Sequence, residues 1–109
     1  MGTTKTENFT SGQVRIAQLA KAIGHPARIA ILQYLISRQS CVCGDIVDEL
    51  PLAQATVSQH LKELKDAGII KGEISGAKTC YCINEHVWDE INNAFGFLFS
   101  SYQSKSTCC

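Results

Sequence analysis

The feature that most constrains the fold is a change in the spacing of apolar residues between two adjacent segments. In "QATVSQHLKELKDAG" the apolar residues Val57, Leu61 and Leu64 recur at i, i+4 and i+7, which predicts a helix with one buried stripe. In "IIKGEISGAKTCYCIN" the period becomes two, which predicts a hairpin of residues 69–74 with residues 78–83 around a Ser-Gly turn. A helix therefore runs directly into a two-stranded hairpin, with Gly68 at the position of a helix C-cap.

Further helical segments precede this helix and hairpin. The first runs from Ser11 to a stop at Gly24, and the second, in "HPARIAILQYLIS", begins near Pro26. The second carries apolar residues at helical spacing: Ile29, Leu32 and Ile36. A short helix from Asp45 to Leu50 is stopped by Pro51. Short helix, tight turn, longer helix and hairpin make a winged helix-turn-helix, a mainly α fold with a β-hairpin wing.

The order of composition along the chain predicts one domain with short tails. Residues 1–10 are polar and are expected to be flexible, residues 11–102 carry the periodic segments, and residues 103–109 form a flexible tail that contains cysteine. No apolar run reaches the roughly 18 to 20 residues that span a bilayer, and the first residues lack a hydrophobic signal region. We therefore expect a cytoplasmic protein without a membrane partner, whose thiols are kept reduced.

The longer helix has a polar face that suits DNA. Ten basic and 10 acidic residues give a net charge of +0, which argues against a protein that coats nucleic acid non-specifically. The face opposite the buried stripe nevertheless carries side chains that can reach base edges and phosphates, namely Ser58, Gln59 and Lys62, with Thr56 on its flank. Lys78 on the predicted wing is a further candidate. The alternative interpretation is that these residues are an ordinary solvated surface, and His60, near the buried stripe, is expected to be structural.

The last predicted helix carries a wide aromatic and aliphatic stripe. Its members recur at helical spacing: Trp88, Ile91, Phe95, Leu98, Phe99 and Tyr102. A small domain gains stability by covering such a surface with a second copy of itself. The sequence therefore predicts a homodimer through the N- and C-terminal helices, and packing of the stripe on its own domain is the alternative.

Six cysteines occur as three close pairs: Cys41 with Cys43, Cys80 with Cys82, and Cys108 with Cys109. In a reducing compartment such pairs indicate a metal, metalloid or redox site rather than a disulfide framework. A small thiol enzyme or a metal-delivery protein is the distant alternative. Since there is no CxxC on a βαβ pattern and no cysteine with evident histidine and carboxylate support, we expect the chain not to be an enzyme.

Four segments together resemble the ArsR/SmtB family of metal-responsive bacterial repressors: "AIGHPARIAIL", "CVCGDIV", "ATVSQHLKELKDAGII" and "GAKTCYCIN". They occur in the family's order and spacing over roughly residues 14 to 92. The resemblance implies a dimeric winged-helix repressor that occupies an operator in double-stranded DNA until an ion binds. It also implies that Gln54, Ser58 and Gln59 touch the major groove. No other protein partner is implied.

The "CVC" segment is similar to the arsenic-sensing "CVCDL" box of that family, and thiolate chemistry agrees. Soft thiolates select soft ions, and As(III) or Sb(III) takes three sulfur ligands, of which Cys41 and Cys43 supply two. Gly44 is inserted relative to the box, and Val47 stands where some arsenic repressors carry their third cysteine. The third sulfur must therefore come from elsewhere.

Two sources of a third sulfur are open. Cys108 and Cys109 follow a flexible linker that reaches at most about 25 Å from Tyr102, in the same subunit or in the dimer mate. Alternatively, the segment before the short helix pairs with the last wing strand, which sets Cys41 and Cys43 beside Cys80 and Cys82. Four thiolates would suit Cd or Zn, a disulfide or persulfide switch is a further possibility, and inert thiols are the plain alternative.

Overall fold

The computed structural model describes residues 8–43, 46, 50–75 and 78–103. Its helices and strands, in chain order, are α1 (Ser11–Ile23), α2 (Pro26–Arg38), β1 (Val42–Cys43), α3 (Gln54–Asp66), β2 (Ile70–Ser75), β3 (Lys78–Ile83) and α4 (Glu85–Ser100). The predicted winged helix-turn-helix is confirmed. Ile46 is helical and buried. Residue 45 and residues 47–49 of the short helix predicted before Pro51 lie outside the described residues.

The helix ends follow from local hydrogen bonding. Thr10 begins α1 with a capping box, in which its hydroxyl accepts from the Gln13 amide and the Gln13 side chain accepts from the Thr10 amide. Pro26 occupies the first turn of α2, where a missing N–H is tolerated. At the end of α3, Gly68 adopts a φ of 82°, and the Ile69 amide donates to the Leu64 carbonyl at 3.0 Å. This cap turns the chain straight into β2.

The three strands form one antiparallel sheet in the order β1-β3-β2. The hairpin of β2 and β3 aligns Ile70 with Ile83 and Gly72 with Tyr81, as the alternating pattern predicts. The segment ahead of the predicted short helix also adds to the sheet, because Val42 pairs with Tyr81 on the other edge of β3. The pairing of this segment with the last wing strand is therefore confirmed, and β3 is the central strand.

The hydrophobic core lies between the helices and one face of the sheet. Val57, Leu61 and Leu64 of α3 are all at most 4% exposed, so the predicted stripe of that helix is confirmed. The remaining core residues come from α1, α2, β1, β2 and α4 and from the segments that contain Ile46 and Ile69: Leu19, Ala22, Ile31, Leu32, Leu35, Val42, Ile46, Ile69, Ile70, Val87 and Ile91. Burial of this apolar surface is the main force that holds the elements together.

The apolar spacing predicted for the second helix does not match its buried side. In α2, Ile29 and Ile36 are 40% and 45% exposed, because the buried side of the helix is formed by Ile31, Leu32 and Leu35. In β3, Tyr81 and Ile83 pack against the core, whereas Thr79 on the same side is exposed. The opposite side of β3 carries Cys80 and Cys82, which are buried by neighbouring strands.

The C-terminal stripe divides into two halves in α4. Ile91 is buried, and Trp88 and Phe95 are partly buried against the core, so the first half packs within its own chain. The second half is exposed and, with a neighbouring phenylalanine, forms what we call the distal apolar patch: Phe97, Leu98, Phe99 and Tyr102. Within the described ranges, no helix combines the length and apolar character that a membrane crossing requires.

Candidate functional site

The strand register brings four of the six cysteines together. Cys43 lies opposite Cys80, and the next residues along bring Cys41 beside Cys82. The Cα atoms are 4.0 Å apart in the first pair and 4.4 Å apart in the second. In the structure both pairs are joined as disulfides, Cys41 with Cys82 and Cys43 with Cys80.

All four sulfurs lie on one side of the sheet. Successive side chains of a strand point to opposite faces, and directly paired residues of antiparallel strands point to the same face. Val42, between Cys41 and Cys43, is 4% exposed and belongs to the core, while Tyr81, between Cys80 and Cys82, packs against it. The cysteines therefore project from the opposite side, which we call the thiol face: Cys41, Cys43, Cys80 and Cys82.

Exposure differs between the two strands of the thiol face. Cys80 and Cys82 are 6% and 9% exposed, since β3 has a neighbouring strand on each side. Cys41 and Cys43 are exposed, because they belong to the edge of the sheet. An incoming reagent would thus reach the sulfurs of the edge strand more readily than those of the central strand.

Charged residues border the thiol face on its β2 side. Lys71 is the strand partner of Cys82, and Glu73 is the strand partner of Cys80. A cavity of about 370 Å³ opens at the Cys82 end. It is lined by Cys41 and Cys82 together with Leu35, Ile36, Gln39, Ser40, Lys71, Glu73, Ile83 and Glu85. The end of the thiol face at Cys82 is therefore bordered by one ammonium group, that of Lys71, and by two carboxylates, those of Glu73 and Glu85.

The predicted ligands fall into two sets. Cys41 and Cys43 meet the alternative ligands Cys80 and Cys82, whereas Cys108 and Cys109 lie outside the described residues. Among the residues that the structure describes, no group of three or more His, Cys, Asp or Glu side chains is arranged to hold a metal ion in this disulfide-bonded form. Any ion at the thiol face would need the reduced chain.

The predicted DNA-contacting residues of α3 share an exposed surface. Gln54, Thr56, Ser58, Gln59 and Lys62 are all exposed. Lys62 donates to Asp66 at 2.8 Å, one turn further on, and this hydrogen bond raises the pKa of Lys62. Gln59 similarly donates to Glu63 at 3.0 Å. Lys78 begins β3, but its side chain lies outside the described part of the structure.

The first turn of α3 is open for a polar partner. Ala53 occupies the N-cap, and no side chain accepts a hydrogen bond from the first amides of the helix. Amides at a helix N-terminus together with the helix dipole favour an anion such as a DNA phosphate. With the exposed Gln54, Ser58 and Gln59, this end of α3 forms a surface with donors and acceptors directed outward.

A buried polar contact joins α3 to the start of α2, and sequence reasoning did not find it. His60 is 9% exposed, and the Arg28 guanidinium donates to its Nδ1 at 3.0 Å. Arg28 also donates to the Ala22 carbonyl at 3.0 Å, and His25 caps α2 by accepting from the Ala27 amide. Burial lowers the pKa of His60 below 6.5, and His25 and Arg28 lower it further. The expectation that His60 is structural agrees with this contact.

The residues predicted for a dimer contact lie beside α1. The Arg15 guanidinium of α1 donates to both carboxylate oxygens of Glu90 in α4, at 2.7 and 3.0 Å, and lowers the pKa of that carboxyl. Next to this pair is an apolar groove with a volume of about 500 Å³, lined in part by Ile16, Ala94, Phe97 and Leu98. The described chain therefore presents apolar surface from both terminal helices on one side.

Comparisons with known proteins agree with this architecture. A family profile described as a helix-turn-helix domain matches residues 23–73. The chain is 45% identical over 69 residues to the HTH-type transcriptional repressor SmtB of Mycobacterium tuberculosis, a match that covers 63% of this chain and 50% of the repressor. The chain thus spans half the length of that relative.

The match to a second relative covers more of that relative's length. The chain is 33% identical over 93 residues to the arsenical resistance operon repressor of Bacillus subtilis, which covers 84% of this chain and 77% of that repressor. Among solved structures, an ArsR-like transcriptional regulator from Rhodococcus superposes with a TM-score of 0.69 at 15% identity. That superposition covers 84% of this chain and 86% of the regulator, and it supports the fold alone.

Proposed function

Because the chain belongs to the ArsR/SmtB family of helix-turn-helix transcriptional regulators, we propose that it is a homodimeric repressor that releases operator DNA when As(III) or Sb(III) binds its cysteine thiolates. The family is one of transcriptional regulators rather than of enzymes. The observation that supports the proposal is the thiol face, because its four cysteines lie together on the sheet of a helix-turn-helix fold and would offer soft thiolates when reduced. The repressor acts in the cytoplasm, where the thiols are kept reduced.

DNA is read by α3 in this proposal. Ser58 and Gln59 point away from the core on the first turns of the helix and offer both donors and acceptors to base edges. Gln54 and Thr56 lie at its open N-terminus, which suits a phosphate, and Lys62 and Lys78 contribute positive charge along the backbone. The zero net charge means that affinity depends on these few placed contacts rather than on a general positive field.

A second copy of the chain covers the distal apolar patch. Phe97, Phe99 and Tyr102 are at least 70% exposed, and Leu98 is 49% exposed, which is an unfavourable state for large apolar side chains in water. Trp88, Ile91 and Phe95 belong to the same predicted stripe and support the patch from within the chain. Dimerisation through α1 and α4 would place two α3 helices for two operator half-sites.

The inducer is assigned from ligand softness and number. Thiolates prefer thiophilic ions, and Cys41 and Cys43 provide the first two sulfur ligands in this proposal, with the third from the C-terminal pair Cys108 and Cys109 or from Cys80 and Cys82. The arsenical resistance operon repressor of Bacillus subtilis supports As(III), whereas the similarity to a repressor named SmtB leaves Cd or Zn as the alternative inducers.

Coupling between the ion and DNA is short-ranged. Val42 lies between Cys41 and Cys43 and packs in the same core as Val57 and Leu61 of α3. Drawing Cys41 and Cys43 towards an ion would shift β1 and, through this core, the orientation of α3. Coupling energies of about 1 to 3 kcal/mol between two sites correspond to affinity changes of roughly 5-fold to 150-fold, enough to empty an operator.

A second candidate function is a thiol oxidation switch, which is favoured by the pairing of Cys41 with Cys82 and Cys43 with Cys80 as disulfides. In such a switch two thiols lose two protons and two electrons to a peroxide, which is reduced to water and an alcohol. A disulfide between β1 and β3 would hold these strands together and fix the position of β1. Peroxide rather than arsenite would then control DNA binding.

The test compares DNA binding and ion binding in two sets of variants. Fluorescence anisotropy is measured on the DNA upstream of the chain's own gene, in a phosphine reductant, during titration with arsenite. We expect Cys41→Ser with Cys43→Ser to bind DNA but to lose arsenite-driven release. The matched control, Ser58→Ala with Gln59→Ala, should bind arsenite but not DNA.

The outcome separates the candidates. Unchanged release by arsenite in the Cys41→Ser, Cys43→Ser variant would refute the thiolate mechanism. Release by a peroxide without reductant, reversed by a phosphine, would favour the oxidation switch. Release by Cd at lower concentrations than arsenite would assign the alternative inducer.

A further inference from the structure

We propose that disulfide formation on the thiol face makes the repressor insensitive to its inducer without removing the repressor from DNA. This inference rests on the proposed function and adds a redox control to its site. It differs from the oxidation switch described above, in which a peroxide releases the operator. Its basis is the direction in which each chemistry joins the cysteines, together with the exposure of the four side chains.

The two disulfides use every cysteine of the thiol face. Cys41 is paired with Cys82, and Cys43 is paired with Cys80. Each disulfide therefore removes one of the two ligands, Cys41 and Cys43, on which the proposed site depends, whichever cysteine supplies the third sulfur. When both disulfides have formed, the pair of cysteines at the end of the chain offers two sulfurs, fewer than the three that the site is proposed to use.

A disulfide and a bound ion join the cysteines in different directions. The disulfides run across the sheet, between residues whose Cα atoms are 4.0 and 4.4 Å apart and whose backbones are already paired. An ion held by Cys41 and Cys43 acts along the edge of the sheet, where residues two apart are separated by about 6.6 Å. Bonds of about 2.3 Å, as between zinc and sulfur, hold two ligand sulfurs within about 4.6 Å of each other. The ion therefore draws these two residues together, whereas the disulfides hold them where the strand pairing already places them.

The disulfide-bonded chain has the features that the proposed function assigns to DNA binding. Val42 pairs with Tyr81 in the sheet and packs in the same core as Val57 of α3. Ser58 and Gln59 of α3 are exposed in this form. Because the disulfides leave Val42 packed in the core it shares with α3, oxidation should leave the affinity for DNA unchanged.

Exposure gives the oxidation an order. Cys41 and Cys43 are exposed at the edge of the sheet, whereas Cys80 and Cys82 are 6% and 9% exposed. A peroxide therefore oxidises an edge thiol first, and RSH with R′OOH gives the sulfenic acid RSOH and the alcohol R′OH. The facing thiol then displaces water, since RSOH with R″SH gives RSSR″ and H₂O. Each disulfide thus transfers two electrons to one peroxide.

The buried cysteines also keep the oxidation reversible. A sulfenic acid that meets further peroxide becomes a sulfinic acid, which a thiol or a phosphine does not reduce. Cys82 and Cys80 face Cys41 and Cys43 across the sheet, so each sulfenic acid has a thiol beside it. The product is a disulfide, and a reductant restores the site.

The experiment compares the full chain reduced by a phosphine with the full chain treated with a peroxide, each after removal of the reagent. Peptide mass spectrometry should find Cys41 joined to Cys82 and Cys43 joined to Cys80. Elemental analysis after dialysis against arsenite should find at least tenfold less arsenic on the oxidised chain. Fluorescence anisotropy should give both forms the same operator affinity within roughly twofold, and release of the oxidised chain should require at least tenfold more arsenite.

Two variants are matched controls, and a phosphine added to the oxidised chain should restore arsenic binding. Cys108→Ser with Cys109→Ser should form both disulfides at the wild-type rate, because the tail has no part in them. Ser58→Ala with Gln59→Ala should lose arsenic binding on oxidation as wild type does, although it does not bind DNA.

Three results would overturn the inference: release of the operator by peroxide alone, undiminished arsenic binding by a chain in which both disulfides are present, or oxidation that joins other pairs of cysteines. Failure of the proposed function gives a separate result, because the reduced chain would then bind arsenic and remain on DNA. Loss of arsenic binding on oxidation would in that case leave the exclusion of the ion by the disulfides standing and refute only the repressor proposal.

Discussion

At the scale of single residues, His60 shows how a polar side chain is accommodated inside the fold. It lies on the buried side of α3 with 9% of its surface exposed, and Arg28 of α2 donates to its Nδ1. An imidazole nitrogen that accepts a hydrogen bond must be unprotonated, so the contact favours neutral His60. The contact therefore ties the helix that is proposed to read DNA to the helix before the sheet, and it does so in a pH-dependent way.

The pKa of His60 sets the sign of this dependence. Burial, His25 and Arg28 lower the pKa below 6.5, and Glu63 acts weakly in the opposite direction. The folded chain therefore binds a proton at His60 less readily than the unfolded chain, and stability falls as pH decreases through the unfolded pKa of about 6.5. We expect His60→Gln, which keeps an acceptor for Arg28 but does not titrate, to lose less stability between pH 7.5 and pH 5.5.

Urea denaturation followed by circular dichroism measures this difference. His86→Gln is the matched control, because it makes the same replacement at an exposed histidine of α4. If wild type and His60→Gln lose the same free energy of unfolding between the two pH values, burial of neutral His60 is not the cause.

Residue patterns predicted some contacts and missed others for physical reasons. The stripe of Val57, Leu61 and Leu64 was predictable, because the other side of α3 is polar and only one orientation is possible. In α2 the apolar residues surround much of the helix, so the pattern did not distinguish the buried Ile31 from the exposed Ile29. The orientation of such a helix depends on its packing partners, which are distant in sequence.

At the scale of elements, helix ends were predictable because their signals are local. Gly68 is the clearest example: its φ of 82° allows the Gly68 and Ile69 amides to cap the last turn of α3. The sequence did not determine whether β1 pairs with β3. The paired residues are about 40 positions apart, and the "CVC" segment gives no register by itself. The sequence therefore predicted which residue type forms the candidate site, but it did not show which cysteines lie together.

Gly68→Ala tests the cap. A Cβ at this position would meet only Val87 Cγ2, at 3.7 Å, so the expected loss comes from the left-handed backbone and not from a clash. A non-glycine residue in this conformation costs about 1 kcal/mol or more. We expect the free energy of unfolding to fall by about that amount in urea titrations.

Gly12→Ala provides the comparison, since Gly12 lies in α1 and a Cβ there makes only an ordinary contact with Thr10 at 3.9 Å. Alanine is favoured over glycine in helices, so this change should be neutral or stabilising. Equal destabilisation by both changes would mean that the conformation of Gly68 is not the cause.

The exposed side of α3 also has a testable electrostatic property. Lys62 is paired with Asp66 at 2.8 Å in the free chain, and in the proposed complex it would exchange this partner for a phosphate on DNA. Removal of one lysine–phosphate ion pair makes the slope of log K against log salt shallower by about 0.9. We expect Lys62→Gln to flatten the slope by that amount per protomer, and Asp66→Asn to strengthen DNA binding without flattening it. A slope unchanged by Lys62→Gln would remove Lys62 from the DNA contact.

At the scale of the whole molecule, one side of the chain exposes large apolar side chains to solvent. The distal apolar patch and the neighbouring groove bring apolar groups of α1 and α4 into water, beside the Arg15–Glu90 pair. Binding to two DNA half-sites requires a fixed distance between two α3 helices, since the half-sites lie about 34 to 36 Å apart on one side of the duplex. One dimer contact through these helices would satisfy both conditions, because it buries the patch and fixes the distance between two α3 helices.

Leu98→Glu with Phe99→Glu tests this dimer. Two carboxylates in a buried apolar contact would lose hydration without a partner, so the dimer should dissociate at micromolar concentrations while each chain stays folded. Analytical ultracentrifugation should show a monomer, and affinity for the two-half-site operator should fall by tenfold or more, because the second α3 no longer binds as part of the same molecule. Ile29→Glu, which places the same charge at a 40% exposed isoleucine of α2, should remain dimeric. A dimer that persists in the double variant would exclude the distal apolar patch as the contact, and the partly buried Trp88 and Phe95 would then belong to the core of their own chain alone.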